Sequence, residues 1–552
     1  MKEISKKSII LFLIIIATIS LGLKLYTADF TVLPNEDTFE YVLIAFAHNN
    51  GDFTEHPRKT LGWTIFVSPF FHLIDSNNFL DYVNIIRILG LAISIITIIP
   101  MYLLSRKFFD DKYSLCATAL FAFEPHLNQL SWQGLTEQLY ILVIILSMYF
   151  ILNRNSNYSY LSFLAIGLLW WVRWQGAIML LIISIIFFKN FKKTPRLFVK
   201  YSLCLSISLV VVSPMLLDRY EQFGDPLYFS QTEHLFLGDY ASITAYNMQG
   251  VEYSAFDYID DNGFGKFIEK FVLMGVSNLI FTVAKMSFPY LIILLPFGIL
   301  FSFRAFDQEK KFMQSNWILI LITLAPFVIY FAIIDEKRLI YSIFPFLILL
   351  AVIPLQRLVE YGLSTFSYNE RQKKLFLVGV MTVVLISSSL YTLRYDIPDP
   401  VLNDEKILFA ETMNNTFEGR ILDAGYTLLG LNYVHATNPP GVFKNYEIYN
   451  NIASDFMEEF NSENRNLKPI ELYAKSLEGF IEVSDEYELK YISINKNGVH
   501  LKFPYLNEIY ENEENFPYLR KVFDTEKEGF EKFKAKVFEI DYKKFYLIKN
   551  KE

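Results

Sequence analysis

From Ser8 to Tyr26 the chain reads SIILFLIIIATISLGLKLY, and from Leu375 it reads LFLVGVMTVVLISSSLYTL. Runs of this length limit the fold more than any other feature. A helix of about 20 apolar residues crosses the roughly 30 Å of a bilayer's hydrocarbon core. In that medium each backbone N–H and C=O must find its partner inside the segment, so an apolar run of this length crosses as a helix. A hydropathy pass gives about eleven such spans: 8–26, 83–104, 113–129, 136–152, 159–172, 175–189, 199–217, 286–303, 316–334, 338–355 and 375–394. Composition agrees, since 53% hydrophobic content with 52 Phe and 35 Tyr is too apolar and aromatic for a soluble chain of 552 residues. The first run has the basic flank of a signal peptide (Lys2, Lys6, Lys7), but it is long and no small-residue cleavage site follows it. It is expected to stay as the first span.

Net charge is −8, yet the sign is unevenly distributed. With the N-terminus cytoplasmic, alternation puts SRKFFDDK, NRNSNYS, KNFKKTPRLFVK, FRAFDQEKK and QRLVEYGLSTFSYNERQKK on one side, and nearly all are rich in Lys and Arg. That is the cytoplasmic bias of multi-pass proteins. Loops 27–82 and 218–285, and everything after about 395, then fall outside the cell membrane. The expected organisation is a transmembrane domain at 1–394 and a soluble extracytoplasmic domain at 395–552. Cys116 and Cys204 both fall in predicted spans, which leaves the outer domain without a disulfide framework or a cysteine metal site. The partner environment is the lipid bilayer, with no nucleic acid expected.

The joint is LRYDIPDPVLNDEK, where two prolines and a group of acids end the last helix. Beyond it NDEKILFAETMNNTFEG has helical character and RILDAG reads as a strand, while LKYISINKNGVHLKF and KVFEIDYKKFYLIKN alternate as strands do. A small α/β or α+β domain follows. Within the outer loop, which opens on a Gly-Asp-Pro turn, 265–285 is apolar on one side with spaced lysines, fitting either a helix in the membrane interface or a twelfth span. Asn414 heads an Asn-Asn-Thr sequon.

The stretch PNEDTFEYVLIAFAHNNGDFTEHPRKTLGWTIF directly follows the first span and concentrates charge. Asp37 and Glu40 lie three apart and Asp37 and Tyr41 four apart on a helical pattern from Thr38 to Ala47. One account makes Asp37 an N-cap with Glu40 closing a capping box. The other notes its company: Glu36, Glu55, His56, Arg58 and Lys59 between the same two spans. Carboxylates beside cations suit removal of a proton from one reactant and stabilisation of an anion on another. In FEPHLNQLSWQGLTEQLY, Glu124 and His126 end the third span and Glu137 heads the fourth, a site where a carboxylate faces a cavity or is eased by the helix N-terminus. Arg173 in WWVRWQGAIML, and Lys337 with Arg338 in DEKRLIYSIFPFLILL, are either interfacial anchors or, with Arg58 and Lys59, a cationic set for a lipid-borne phosphate.

At these residues the chain resembles the GT-C membrane glycosyltransferases, in particular the dolichyl-phosphate-mannose protein mannosyltransferases and the lipid A aminoarabinose transferases. EDTFEYVLIAFAHNNGDF followed by HPRKTLGWTIFVSPFF is similar to their first outer loop, SWQGLTEQLY to their second acidic site, VRWQGAIMLL to their Arg-x-x-Gly turn and DEKRLIYSIFPFLILL to a late segment. The resemblance covers roughly residues 8–355. It implies a hexosyl- or pentosyltransferase moving a sugar, with inversion, from a polyprenyl-phosphate (dolichyl-phosphate type) donor to a hydroxyl or amide of a protein, lipid or glycan. It further implies Asp37 as base or acceptor-orienting acid, Glu36 or Glu137 as second acid, and Arg58, Lys59, Arg338 and Arg173 as the donor-phosphate set. Tyr41, His56 and His126 would contact substrate. Asp37 and Glu137 would ligate Mg2+ or Mn2+ if a metal is used, although several relatives work without one.

There are departures. The acidic pair reads Glu-Asp, Arg58-Lys59-Thr60 stands where prolines are common, and the tail has no Trp-Trp-Asp-Tyr-Gly motif, unlike catalytic oligosaccharyltransferase subunits. A transporter or flippase is the first alternative, but it calls for mid-span acids and a repeat between halves, which the sequence lacks. A non-catalytic envelope scaffold leaves the placement of acids and bases unexplained.

Overall fold

The computed structural model describes residues 4–550 except 77, 249, 304–309, 335, 395–397, 424–426, 438–465 and 497–502. Parts of the basic loop at 303–311, of the joint and of the alternating stretch after Asn495 therefore lie outside the described residues.

Among the described residues, seven helices are long and apolar enough to cross a membrane: Lys6–Thr27, Phe79–Ser105, Leu197–Phe223, Phe264–Met286, Lys311–Phe331, Phe344–Thr365 and Glu370–Thr392. Four shorter apolar helices, Glu137–Ile151, Tyr158–Val172, Gly176–Phe191 and Leu291–Ser302, complete the bundle with Asp111–Ala122. The protein is a multi-pass helical membrane protein with a C-terminal α/β domain. Starts are specified locally: Ser5 caps Lys6–Thr27, and Asn369 with Gln372 forms a capping box on Glu370–Thr392. The peripheral helices show apolar side chains outward, among them Ile10, Leu11, Ile14, Val378, Val383 and Ile386, as lipid-facing surfaces do.

Three spans differ from the hydropathy pattern. The expected 113–129 span breaks after Ala122, because Glu124 caps a new short helix, Pro125–Leu130, whose first residue is proline. The expected 338–355 span starts only at Phe344, after a separate turn Arg338–Tyr341, and continues to Thr365. Phe264–Met286 has the length and composition of a span, but its neighbours place it otherwise. Gly275 lies against the Val328 carbonyl, where a Cβ would come within 2.1 Å, and Asn278 Nδ2 donates to Phe331 O at 2.9 Å. Just beyond the helix's C-terminus, Tyr290 OH donates to Leu120 O at 2.9 Å. Val328, Phe331 and Leu120 all lie toward the C-terminal ends of their own helices, at the end of the bundle that carries the site below. From its middle to its C-terminus the helix thus runs along one end of the bundle, the position of an interfacial helix.

In the tail, strands β1 (Gly419–Asp423), β2 (Leu467–Ile470), β3 (Leu489–Asn495), β4 (Leu519–Asp524) and β5 (Ala535–Ile540) form one sheet in the order β2-β1-β3-β5-β4. β1 runs parallel to β2 and β3, and β5 is antiparallel to β3 and β4. Helices cover both faces: Pro400–Thr416 and Thr427–Thr437 pack on Ile421, Leu467 and Val537, and Leu477–Glu486 packs on Leu422, Ile492 and Phe538. The strand expected through 536–550 stops at Ile540, because Asp541 caps a terminal helix, Tyr542–Lys549. Asn414 lies within Pro400–Thr416, and its Oδ1 pairs with His435 Nε2 at 2.9 Å, so the sequon is engaged in packing.

The tail is tied to the body by packing of Leu429, Tyr433 and Ala436 on the membrane core and by hydrogen bonds. Leu33 N donates to Asn403 Oδ1 at 2.8 Å. In the 218–285 loop, Asn247 exchanges two hydrogen bonds with the Tyr473 backbone, at 2.8 and 2.9 Å.

Candidate active site

Asn35, not Asp37, caps the helix Glu36–Asn49, its Oδ1 accepting from Thr38 N at 2.9 Å. The expected Asp37–Glu40 capping box is therefore absent, and both carboxylates turn to Lys59. Lys59 Nζ donates to Asp37 Oδ1 at 2.7 Å, pairs with Glu40 Oε2, and stands 4.7 Å from the centre of the Tyr41 ring. Arg338 Nη1 donates to the second oxygen of Asp37, and its Nε donates to Glu137 Oε1 at 2.6 Å. Arg173 Nη1 donates to the same Glu137 oxygen and to Thr136 Oγ1 at 3.3 Å.

Four segments distant in sequence are fastened together by backbone contacts. Thr38 Oγ1 donates to Gln133 O at 2.7 Å, Trp63 Nε1 to Gly134 O at 3.1 Å and Thr60 Oγ1 to Val172 O at 2.8 Å. Gly134 has φ +79°, which glycine adopts without strain, and Gly62 and Gly176 lie where a Cβ would come within 2.5 and 2.3 Å of the backbone at Trp171 and Trp170. The helix Tyr158–Val172 ends as Arg173 turns extended, which aims its side chain at Glu137.

Three carboxylates (Asp37, Glu40, Glu137) face three cations (Lys59, Arg173, Arg338), so the cluster is charge-balanced. Burial alone would push the Asp37 carboxyl up, but Lys59 and Arg338 overcome it and hold that group well below the usual carboxylate range. Burial opposes the charge on Lys59, but Asp37 and Glu40 raise its pKa. Beside the cluster, Glu137, Tyr140, Arg173, Gln175, Phe327 and Arg338 line a narrow cleft with about 10 Å³ of free space, roughly what one water occupies. The ion pairs close the site in this state.

No curated protein matches the chain. A family model described as Dolichyl-phosphate-mannose-protein mannosyltransferase matches residues 67–217, which hold Glu137 and Arg173 but not Asp37, Lys59 or Arg338. Among solved structures, the apo oligosaccharyltransferase of Archaeoglobus fulgidus superposes with a TM-score of 0.57 over 89% of this chain and 70% of its own, at 12% identity. AglB, an oligosaccharyltransferase of the same organism solved with an inhibitory peptide and a dolichol-phosphate, gives 0.54 over 94% and 73%, at 13% identity. The chain shares the fold of these two oligosaccharyltransferases. ArnT from Cupriavidus metallidurans, solved with undecaprenyl phosphate, is similar over 95% of this chain and 97% of its own at 13% identity, with a TM-score of 0.49.

Within this fold, Asp37, Glu137, Lys59, Arg338, Arg173 and Tyr41 lie side by side. Glu40 joins them unforeseen. Its spacing from Asp37 was the available signal, since i and i+3 share a helix face. Glu36 stands exposed on the same turn, and none of the ion pairs joining Asp37, Glu40 and Glu137 passes through it. His56 is buried behind the loop, its Nδ1 accepting from the amides of Arg58 and Lys59 at 3.1 Å each. Arg58 is half-buried and makes no ion pair among the described residues.

His126 is not at the site. It is buried, and its Nδ1 pairs with Glu124 Oε1 at 2.9 Å. The pair of carboxylates assigned to a metal converges on the Arg338 guanidinium instead of a shared open position, and a divalent ion would join three cations already present. The donor set as arranged does not fit a resident ion, and no group of three or more His, Cys, Asp or Glu side chains suited to one occurs among the described residues.

Proposed function

We propose that the protein transfers a sugar from a polyprenyl-phosphate donor to an acceptor hydroxyl or amide at the outer membrane face, with inversion at the anomeric carbon. The observation that carries this reading is the charge-balanced cluster, in which Lys59 and Arg338 each hold two carboxylates near the mouth of an apolar bundle. A phosphate diester entering from the bilayer competes for those same cations, as charge-assisted hydrogen bonds to phosphate rival those to carboxylate. Arg58, without a carboxylate partner among the described residues, is free to meet it first.

The exchange creates the base. As Lys59 and Arg338 turn toward phosphate, the pull that keeps the Asp37 carboxyl low is lost, and burial then raises its proton affinity. Asp37 takes the proton from the acceptor. The acceptor atom forms its bond to the anomeric carbon from the face opposite the phosphate, and the carbon–oxygen bond to phosphate breaks with its electron pair left on the phosphate. The cations neutralise the charge that develops there. Glu137 holds Arg338 and Arg173 in place for this step.

Support for the donor class comes from AglB, which shares the fold and was solved with a dolichol-phosphate. The basic loops at the opposite end of the bundle support an extracytoplasmic site. The tail, tied at Asn403 to a residue just ahead of the Asp37 helix, is proposed to present the acceptor. Purified protein incubated with radiolabelled polyprenyl-phosphate sugars is expected to transfer label, and Asp37→Asn and Glu137→Gln to abolish most of it. Transfer unaffected by both substitutions would sink the mechanism.

A further inference from the structure

The end of the helix Leu197–Phe223 holds a buried polar knot that takes no part in the transfer chemistry above. Arg219 is fully buried, and its Nη1 and Nη2 donate to the carbonyl of His56 at 3.1 and 3.3 Å. Its guanidinium lies 5.0 Å from the centre of the Trp174 ring. Beside it Glu55 is also buried, with Oε2 3.6 Å from Arg219 Nη1, and neither carboxyl oxygen has a hydrogen-bond partner among the described residues. One turn on, the Gln222 carboxamide, oriented to satisfy both groups, donates to Glu55 O and accepts from Glu55 N at 3.1 Å each. Ser230 N donates to Pro57 O at 3.2 Å. Residues 55–57 are thus held from one side by a helix and loop whose contacts begin 163 positions away in sequence.

On the other side the same short strap delivers the cations. His56 Nδ1 accepts from the amides of both Arg58 and Lys59, so the imidazole acts as the core of a tight turn whose next side chain is the lysine shared by Asp37 and Glu40. An Nδ1 that accepts carries no proton. Burial, with Lys59, Arg58 and Arg219 around the ring, holds the His56 pKa well below the ordinary imidazole value, while Asp37 pulls the other way.

We propose that Arg219 is a positioning residue for the donor phosphate: by clamping the His56 carbonyl it fixes the imidazole under the Arg58 and Lys59 amides and so sets where both cations stand. A lysine ammonium swings on a long flexible stem, and a displacement of about 1 Å at a charge-positioning group can cost on the order of a hundredfold in rate. The assignment of a phosphate as the ligand rests on the glycosyl-transfer reading, whereas the clamp itself does not.

Arg219→Met, Arg219→Lys, His56→Ala and the double variant Arg219→Met/His56→Ala test it with two readouts. Hydrogen exchange by mass spectrometry over residues 55–60 needs no substrate. Arg219→Met is expected to speed exchange of the Arg58 and Lys59 amides while the rest of the bundle keeps its protection, and Arg219→Lys to restore part of it. In the transfer assay, Arg219→Met is expected to lower kcat/KM for the donor by up to about a hundredfold, with kcat falling as well as KM rising, and Arg219→Lys to recover part of it. The double variant is expected to be no worse than the weaker single variant, since both act along one path. Unchanged exchange at Arg58 and Lys59, or losses that add in the double variant, would overturn the proposal. A parent protein that shows no transfer would defeat the functional reading but leave the exchange result to decide the clamp.

Discussion

Two clusters of charge lie at the same end of this bundle, and they are built differently. Around Asp37 two of the groups are partly open, the Asp37 side chain 33% and the Arg338 side chain 24% exposed, while Lys59 and Glu137 are mostly covered, and Lys59 and Arg338 are each divided between carboxylates. Around Glu124 the groups are sealed: Glu124, His126 and Lys24 are each at most 3% exposed. There Glu124 spends one oxygen on His126 Nδ1 and the other on the amide of Leu127, at 2.7 Å, while Lys24 pairs with Asn128. Shared partners near solvent can be exchanged for an incoming anion. Dedicated partners in a sealed pocket cannot, because a group left without one is stranded where water does not reach. Charge density alone does not mark a reaction site, and the way partners are divided does.

Asp37→Asn puts the sharpest strain on this contrast. Transfer is expected to fall about 10²–10⁴-fold, the usual contribution of a positioned general base, while the thermal midpoint in detergent changes little, because Glu40 and Glu137 still satisfy Lys59 and Arg338. Glu124→Gln should act in the opposite sense. It weakens a charged hydrogen bond and a helix cap, and a destabilisation of about 1.5–3 kcal/mol is expected, with the donor KM unchanged. Denaturation midpoints and steady-state kinetics on both proteins separate the two clusters. A Glu124→Gln variant that is stable but has lost donor affinity would erase the distinction.

The membrane body was largely legible in the sequence because apolar runs and basic loops record the bilayer directly. The break at Glu124 was legible too, in the Glu-Pro start signal, but hydropathy smooths over a single polar pair inside an apolar window. Phe264–Met286 shows the opposite limit. Length and apolarity are the same for a helix that crosses and one that lies along the interface, and only contacts at both ends of its C-terminal half, with Val328 and Phe331 and then with Leu120, separate them. At the site, Asp37, Lys59, Glu137 and Arg338 could be nominated one by one from their positions at span ends. Their pairing could not, since Arg338 lies some three hundred residues from Asp37. Glu40 was hidden because a carboxylate three residues after another at a helix start mimics a capping box, and the cap in fact belongs to Asn35. His126 was over-read for a related reason: Glu-x-His near a span end has the same spelling whether it faces a cavity or a sealed pocket.

Glu55 lies between the two kinds of cluster, buried like Glu124 but with no hydrogen bond to its carboxyl among the described residues. Burial pushes its carboxyl up to about 8 from 4.5, against the pull of Arg219. A raised folded-state pKa on an acid means that the folded protein binds the extra proton between those two values. Stability should therefore fall as pH rises from about 4.5 to about 8 and level off above, with a slope of at most ~1.4 kcal/mol per pH unit. Asp37, held low, contributes no slope in this window, since its stabilisation is present above the unfolded-state value and is lost only in strong acid. Thermal midpoints across pH 5–9 should show the decline in the parent and a flatter line in Glu55→Gln. A parent profile without decline would mean that Glu55 is ionised and fully paired with Arg219.

The smallest expected effect is that of removing divalent ions. Asp37 and Glu137 are already neutralised by Lys59, Arg338 and Arg173, and an added ion would have to enter a set whose charges balance. Transfer measured after exhaustive EDTA treatment should stay within about twofold of the untreated rate, too small a change for the loss of a catalytic ion worth several kcal/mol. The contrary result has a definite structural meaning. If activity collapses and returns with Mg2+ or Mn2+, Arg338 must leave the space between Asp37 and Glu137 during the reaction. The two carboxylates would then be ligands before either is a base, and the cluster's balance in this state would be that of a resting form in which the arginine stands in for the ion.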